Sequence, residues 1–185
     1  MSDLTSLAAV KVKLRIAAGT VADDGLIATL ITQASQFIQA LINRNLASQA
    51  YTETRDGTST SVLMFANYPV TAVASVSVND LPVASIANTT GVGYRFDSTR
   101  LFLNNGNTFS RGIGNVTFAY TAGYVTIPSE IDGACADLVA FKYRELERIG
   151  HSSKSIQNEV VSFIVADMPA AVKTILNNYK KVIPV

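Results

Sequence analysis

Segments with helical hydrophobic periodicity lie at both ends of this chain, and a long segment with strand-like alternation lies between them. At the N-terminal end, residues 3–17 predict a helix that ends at Gly19. A second helix is expected over residues 24–44, with Asp23 and Asp24 as N-caps. Its apolar residues recur at intervals of three and four: Ile27, Leu30, Ile31, Ala34, Phe37, Ile38, Leu41 and Ile42.

The middle of the chain, residues 51–125, predicts an antiparallel β-rich region, because its connections are too short for helical crossovers. Asp56-Gly57 predicts a hairpin within residues 51–65. Asn79-Asp80 predicts a turn after an alternating strand. Short strands are also expected from YRFD, RLFL and NVTFAYTAGY, and loops rich in Gly and Asn over residues 88–93 and 104–115.

Helical periodicity returns after Pro128, where Ser129 and Asp132 predict a capping box and Gly150 a helix end. A last helix is expected after Asp167, with Pro169 in its first turn. The apolar stripes of these two helices contain Ile131, Ala134, Cys135, Leu138, Phe141, Leu146, Ile149, Val172, Ile175, Leu176 and Tyr179.

Helices followed by strands and then helices predict an α+β fold rather than alternating α/β. We expect a bundle of about four helices with an inserted antiparallel β-rich region. Residues 1–50 and 126–185 would form the helical core and residues 51–125 the insertion, within a single domain.

The charge content is low for a chain of this size. Of 185 residues, 48% are apolar and 16% are charged, whereas about 25% charged residues is typical. Such a chain is globular and is suited to hiding surface against partners. The net charge of +1 does not indicate the concentrated basic surface that is typical of a domain that binds nucleic acid. The basic residues on the helices are therefore expected to be solvated: Lys11, Lys13, Arg15, Lys142, Arg144 and Arg148.

Membrane and secretory signals are not expected from this sequence. Lys11, Lys13 and Arg15 interrupt the N-terminal segment, which excludes a secretory signal. No uninterrupted apolar run reaches the ~20 residues that span a bilayer. A protein made in the cytoplasm is the expectation.

Reactive side chains are few. Cys135 is the single cysteine and lies on an apolar stripe, which predicts a buried, inert thiol and excludes an intrachain disulfide. His151 is the single histidine and follows a helix-ending glycine. No metal, dinucleotide or phosphate-loop motif is present. We expect no enzyme, cofactor or metal site; a small hydrolase or transferase using His151 and a nucleic-acid-binding module remain alternatives.

Several stretches resemble one known family in their order and spacing. These are the long early helix ending at an Asn-Arg pair, a Tyr-x-Glu segment before Asp-Gly, a Tyr-Pro-Val before a Val-Ser-Val strand, and the late helix FKYREL. The chain thereby resembles the head–tail connector (adaptor, or head completion) proteins of tailed bacteriophages and prophages. The residues that carry this resemblance are Asn43, Arg44, Tyr51, Glu53, Asp56, Gly57, Tyr68, Pro69, Val70, Tyr120, Gly123, Tyr124, Pro128, Gly150, Pro169 and Tyr179.

The resemblance implies structural work in a virion rather than catalysis. Connector proteins of this kind form a ring of about twelve copies beneath the portal protein, extend the DNA channel and dock the next tail-side (stopper) component. The implied location is the virion neck, after synthesis in the host bacterial cytoplasm, with passive DNA contact in the lumen. The C-terminal segment, residues 170–185, is implied to engage the portal. The docking residues would be Tyr179, Lys180, Lys181, Val182, Ile183 and Val185.

Overall fold

The computed structural model describes residues 2–87, 90–146, 153–156, 159–162 and 168–181. Within them the fold is α+β, with four helices and antiparallel sheets, as predicted. The helices are α1 (Leu7–Leu14), α2 (Asp24–Ile42), α3 (Ser129–Leu146) and α4 (Ala170–Tyr179). The strands are β1 (Gln49–Gly57), β2 (Val62–Met64), β3 (Val70–Val78), β4 (Leu81–Val83), β5 (Tyr94–Phe96), β6 (Arg100–Leu103), β7 (Gly112–Ala122), β8 (Ser153–Ile156) and β9 (Glu159–Ser162).

The chain divides into two compact units, a helical unit of Met1–Arg44 with Ile127–Val185 and a β unit of Asn45–Thr126. The helical unit also contains the antiparallel pair β8–β9. That residues 1–50 and 126–185 form one domain with residues 51–125 stays a prediction.

The helical unit buries most of the stripes that the periodicity predicts, but Phe37, Leu41 and Leu146 of those stripes are 37%, 40% and 39% exposed. Fully buried residues from three helices are Ile27, Ala34, Ile38, Ile131, Leu138 and Leu176. α1 is shorter than predicted because Ser6 caps it by accepting from the Ala9 N–H, and Arg15 ends it in the left-handed conformation. α2 ends at Ile42 for the same reason, with Asn43 at φ 52°.

The predicted N-cap position is confirmed for Asp23, but its capping bond is absent, and the capping role predicted for Asp24 is wrong. Asp23 precedes α2 but its side chain makes no cap bond, and its Oδ2 accepts from the Tyr143 hydroxyl at 2.7 Å. Asp24 is the first helical residue, where a carboxylate favours the helix dipole. One of its oxygens lies 2.6 Å from the Nζ of Lys11. Both carboxylates thus join α2 to other helices.

The prediction that the basic residues are solvated is also wrong for Lys11, whose surface is only 6% exposed. Its ammonium group donates to the carbonyls of Ala18 (3.2 Å) and Thr20 (2.8 Å), besides the contact with Asp24. Lys13 behaves as expected, in a half-exposed ion pair with Asp137 at 2.8 Å. The loop after α1 folds back over Lys11. Hydrophobic periodicity within the helix cannot predict this contact.

The starts of α3 and α4 also differ from the prediction. Ser129 is itself the first residue of α3, and the Asp132 N–H donates to the Pro128 carbonyl at 3.0 Å. Ser129 therefore does not hold the N-cap position. Pro169 holds the N-cap position of α4 rather than its first turn. Asp167, Ile149 and Gly150 lie outside the described residues.

The β unit contains two antiparallel sheets, with strand orders β1-β7-β3-β4 and β2-β6-β5. The hairpin predicted within residues 51–65 is wrong, because β1 pairs with β7 and β2 pairs with β6. Asp56 instead accepts from the Gly114 N–H at 2.6 Å, and the Gly57 N–H donates to Asn115 at 2.8 Å. Asp56 and Gly57 therefore bond to residues of β7, which are distant in sequence, instead of forming a hairpin turn.

The turn at Asn79 and Asp80 is confirmed, and both residues have positive φ (53° and 63°). Simple alternation along β3 is not confirmed at Val73. A register shift between Val73 and Ser75 puts Val73 opposite Tyr120, on the same face as Val76 and Val78. The apolar core of the β unit is formed by Phe65, Val76, Tyr94, Leu101, Leu103, Phe109, Val116, Phe118 and Tyr120.

Candidate partner-docking site

The last described helix is anchored by its apolar stripe. Val172 and Leu176 of α4 are buried, whereas Ile175 and Tyr179 are half-buried. The helix packs against α3 and α2. The predicted stripe of α4 is therefore confirmed, and it holds the helix to its own chain.

The C-terminal end of α4 is fixed by two further contacts. The Tyr179 hydroxyl donates to Oε2 of Glu130, in the first turn of α3, at 3.1 Å. The Lys181 N–H donates to the Ile42 carbonyl at the end of α2, at 2.9 Å. Lys180 between them is exposed. The chain is thus held as far as Lys181, and Lys180 is presented to solvent.

Half of the predicted docking residues fall within this description. Tyr179 contacts its own chain, Lys180 is exposed and Lys181 is half-buried. The other three, Val182, Ile183 and Val185, lie outside the described residues. The sequence analysis missed Glu130 and Ile42 as partners of this end, and no local signal identifies contacts over such separations. Portal docking stays a prediction.

The exposed face of α2 carries no charged side chain. Asp24 is the only charged residue of this 19-residue helix. Leu26, Phe37 and Leu41 are 44%, 37% and 40% exposed, and the Lys142 ammonium lies 5.1 Å from the centre of the Phe37 ring. Solvated helix faces usually carry charge, so this face is suited to contact with protein.

By length and composition, α2 is also apolar enough to cross a membrane, unlike any other helix within the described ranges. The sequence expectation concerned an apolar run of ~20 residues, and α2 is not such a run, since its 19 residues include Asp24 and several Thr and Gln side chains. Core helices of soluble proteins pass the same test, and α2 buries Ile27, Ala34, Ile38 and Ile42 in the helical unit. The absence of a membrane partner stays a prediction.

Groups suited to catalysis do not converge in the part of the chain that the structure describes. Cys135 is buried as predicted, 3.7 Å from the Ser35 hydroxyl, and burial raises the pKa of its thiol to about 11. A thiol of this kind is a poor nucleophile at neutral pH. His151 lies outside the described residues, and those described include no group of three or more His, Cys, Asp or Glu placed to hold a metal ion.

A shallow pocket of about 250 Å³ lies in the helical unit, lined by charged residues of α1 and α3. An ion pair joins two of its lining residues, Lys13 and Asp137. The other lining residues are Ala140, Phe141, Arg144, Glu145 and Pro169. Both members of the ion pair are about half exposed, so water screens their charges. The charges of Lys13 and Asp137 therefore partly neutralise each other within the pocket.

Two motif residues of the β unit, Glu53 and Tyr120, form a hydrogen-bonded cluster with Asn67. The Tyr120 hydroxyl donates to Glu53 and accepts from the backbone and side-chain N–H groups of Asn67. Burial, followed by the bond to Glu53, raises the pKa of Tyr120. The Tyr51 ring stacks on Tyr120 with centroids 5.5 Å apart. These residues stabilise the β unit rather than forming a reactive site.

A family model described as "Head completion protein" matches residues 3–182, nearly the whole chain. The chain belongs to the head completion protein family. No protein with a curated description matches it. The resemblance inferred from the motif residues is therefore confirmed, and the family is one of structural virion components rather than enzymes.

Solved structures with a similar fold come from gene transfer agent (GTA) particles. A chain from "Neck of empty GTA particle computed with C6 symmetry" matches with a TM-score of 0.61 at 18% identity, and a chain from "Virion of native gene transfer agent (GTA) particle" gives the same values. A chain from "Neck of native GTA particle computed with C12 symmetry" has a TM-score of 0.57 at 16% identity. Each comparison covers 100% of this chain and 96% of the other. At these identities the likeness shows a shared fold.

Proposed function

We propose that this head completion protein is a head–tail connector that forms a ring at the virion neck, extends the DNA channel and docks the next tail-side component. The observation that carries the proposal is the family match over residues 3–182. The full-length fold likeness to chains of neck particles computed with C6 and C12 symmetry supports it. A ring of about twelve copies is compatible with both symmetries.

The surface of the helical unit suits such an assembly. Subunits of a ring hide part of their surface, and the cores of protein interfaces are depleted in charge. The exposed face of α2, with Leu26, Phe37 and Leu41 and no charged side chain, has this character. It accounts for part of the low charge content of the chain.

Portal docking is assigned to the chain after α4. Lys180 is exposed at the end of α4, and the bond from Lys181 to Ile42 holds the backbone there. Residues 182–185, with the sequence VIPV, supply apolar side chains for pockets on the portal. The tail would then bind from an anchored base, which reduces the entropy lost on binding.

Electron microscopy of the protein mixed with its cognate portal tests the ring. The expected result is a discrete ring layer of about twelve subunits on the portal. Portals that stay bare at saturating protein would refute the connector function. Salt-sensitive DNA binding by the isolated protein would favour the nucleic-acid-binding alternative instead.

Two variants test the docking assignment separately. Deleting residues 182–185 leaves the contacts of Tyr179 and Lys181 intact, so loss of portal attachment reports on the tail rather than on folding. Lys180→Glu is expected to weaken attachment, whereas Lys173→Glu, an exposed lysine on the same helix, serves as the matched control. Equal attachment of all three variants and the natural chain would remove the C-terminal docking role.

A further inference from the structure

The sequence contains a single Asn-Gly pair, Asn105 with Gly106, and this pair lies in the loop between β6 and β7. Both residues are exposed, and both have left-handed backbone conformations, with φ values of 60° and 73°. Asn-Gly is the preferred central pair of a tight turn in which both positions require positive φ. The pair therefore forms the tip of a turn and is in contact with solvent.

The groups of this pair that could react with each other are not engaged elsewhere. Within the described residues, neither the Asn105 side chain nor the Gly106 N–H forms a hydrogen bond. Apart from its chain neighbours, no heavy atom lies within 4 Å of the position where Gly106 would carry a Cβ. The side-chain carbonyl carbon of Asn105 and the nitrogen that follows it in the chain are thus unhindered.

Two hydrogen bonds between the flanking asparagines close the turn. The Asn107 N–H donates to the Asn104 carbonyl at 3.3 Å. This distance is longer than the usual range of about 2.7–3.2 Å for such a bond. The Asn107 side-chain amide donates to the same carbonyl at 2.9 Å. Opening the turn therefore breaks two bonds at the protein surface and no contact of the core.

We propose that Asn105 is a site of spontaneous deamidation. The Gly106 nitrogen forms a bond to Cγ of Asn105, which gives a five-membered cyclic imide. The bond from Cγ to Nδ2 breaks, and ammonia leaves with the proton of the Gly106 N–H. Water then opens the imide at either of its carbonyls, and the product is aspartate or isoaspartate. Glycine favours the first step because it has no Cβ to obstruct the attack and its backbone is unusually free to rotate.

The Asp-Gly pairs of the chain, which undergo the same cyclisation with loss of water, are held differently. After Asp56, the Gly57 N–H donates to Asn115 at 2.8 Å, so this nitrogen is already engaged. Gly25 and Gly133 lie within α2 and α3, and the helical backbone keeps their nitrogens away from the preceding side-chain carbonyl carbons. The turn at Asn105 lacks both kinds of protection.

Deamidation at Asn105 changes the surface of the β unit. It replaces a neutral amide by a carboxylate and lowers the formal net charge from +1 to zero. The turn adjoins a groove of about 470 Å³, which Asn107 and Thr108 help to line and which has no charged side chain in its walls. The reaction therefore places a negative charge beside an uncharged groove, and isoaspartate also adds a methylene group to the main chain of the turn.

Mass spectrometry of the isolated full-length chain tests the site. The native protein is incubated at neutral and at mildly alkaline pH and digested with trypsin at mildly acidic pH. The peptide LFLNNGNTFSR, residues 101–111, is then fragmented. The expected result is a gain of one mass unit localised to Asn105, at a rate that rises with hydroxide concentration because the deprotonated nitrogen attacks. Asn104 and Asn107 are controls in the same peptide and should remain unmodified over the same period.

Two variants test the chemistry. Gly106→Ala adds a Cβ beside the attacking nitrogen and is expected to abolish the modification. Asn107→Ala removes the side-chain bond that closes the turn and is expected to accelerate the modification. Circular dichroism checks that both variants fold like the natural chain. An unchanged rate in Gly106→Ala would overturn the proposed cyclisation.

The natural chain unfolded in urea provides the reference rate for an open backbone. An Asn105 that is modified in urea but stays intact in the native chain would show that the turn protects it, and the inference would be wrong. Modification of Asn104 or Asn107 as fast as that of Asn105 would also overturn the assignment. The measurement uses the isolated chain, so its outcome is independent of the connector function.

Discussion

The buried lysine of the helical unit allows a quantitative test. Lys11 is 6% exposed, and its ammonium lies 2.6 Å from Asp24 and donates to the carbonyls of Ala18 and Thr20. Lys11→Met keeps most of the apolar stem but removes all three contacts. The carboxylate of Asp24 then loses its cation at a partly buried position.

The expected loss is about 3 kcal/mol in the free energy of unfolding. Removing one partner of a buried ion pair costs about 3–5 kcal/mol. The lower end of this energy range applies because water reaches the Asp24 side chain, which is 27% exposed. Water also reaches Ala18 and Thr20, which are exposed. The double variant Lys11→Met/Asp24→Asn removes the uncompensated charge, so we expect it to regain about 1–2 kcal/mol.

Urea denaturation followed by helical circular dichroism measures these differences from the midpoint and slope. Lys13→Met is the control, because its ion pair with Asp137 is half-exposed and contributes at most about 1 kcal/mol. The reasoning fails if Lys11→Met costs no more than Lys13→Met, or if the added Asp24→Asn change recovers nothing.

Other sites give simpler tests. Tyr120→Phe removes the bond to the Glu53 carboxylate and should cost about 2 kcal/mol in thermal or urea denaturation, and unchanged stability would contradict a buried charge-assisted bond. Gly123→Ala should cost more than about 1 kcal/mol, because Gly123 has φ 111° and a Cβ would lie 2.4 Å from the Ala47 carbonyl oxygen. Cys135, with its pKa raised to about 11 by burial, should react with a thiol reagent at neutral pH only as fast as the protein opens, and rapid labelling under native conditions would show that it is accessible.

Sequence reasoning predicted the fold class because hydrophobic periodicity is a local property. It was correct at Asn79-Asp80, where two successive residues with positive φ form the turn on their own. It was wrong at Asp56-Gly57, a similar signal, because these residues bond to Gly114 and Asn115. Whether a polar side chain turns its own backbone or binds a distant one depends on tertiary neighbours.

The candidate surfaces show the same limit. The apolar stripe of α4 was predictable from spacing, but the bond from Tyr179 to Glu130 joins residues 49 positions apart. Lys11 was assigned to solvent because it lies off the stripe, although the following loop covers it. The exposure of Ile113 and Leu81 has no sequence signal, since an isoleucine or leucine in a strand is ordinarily expected to be covered.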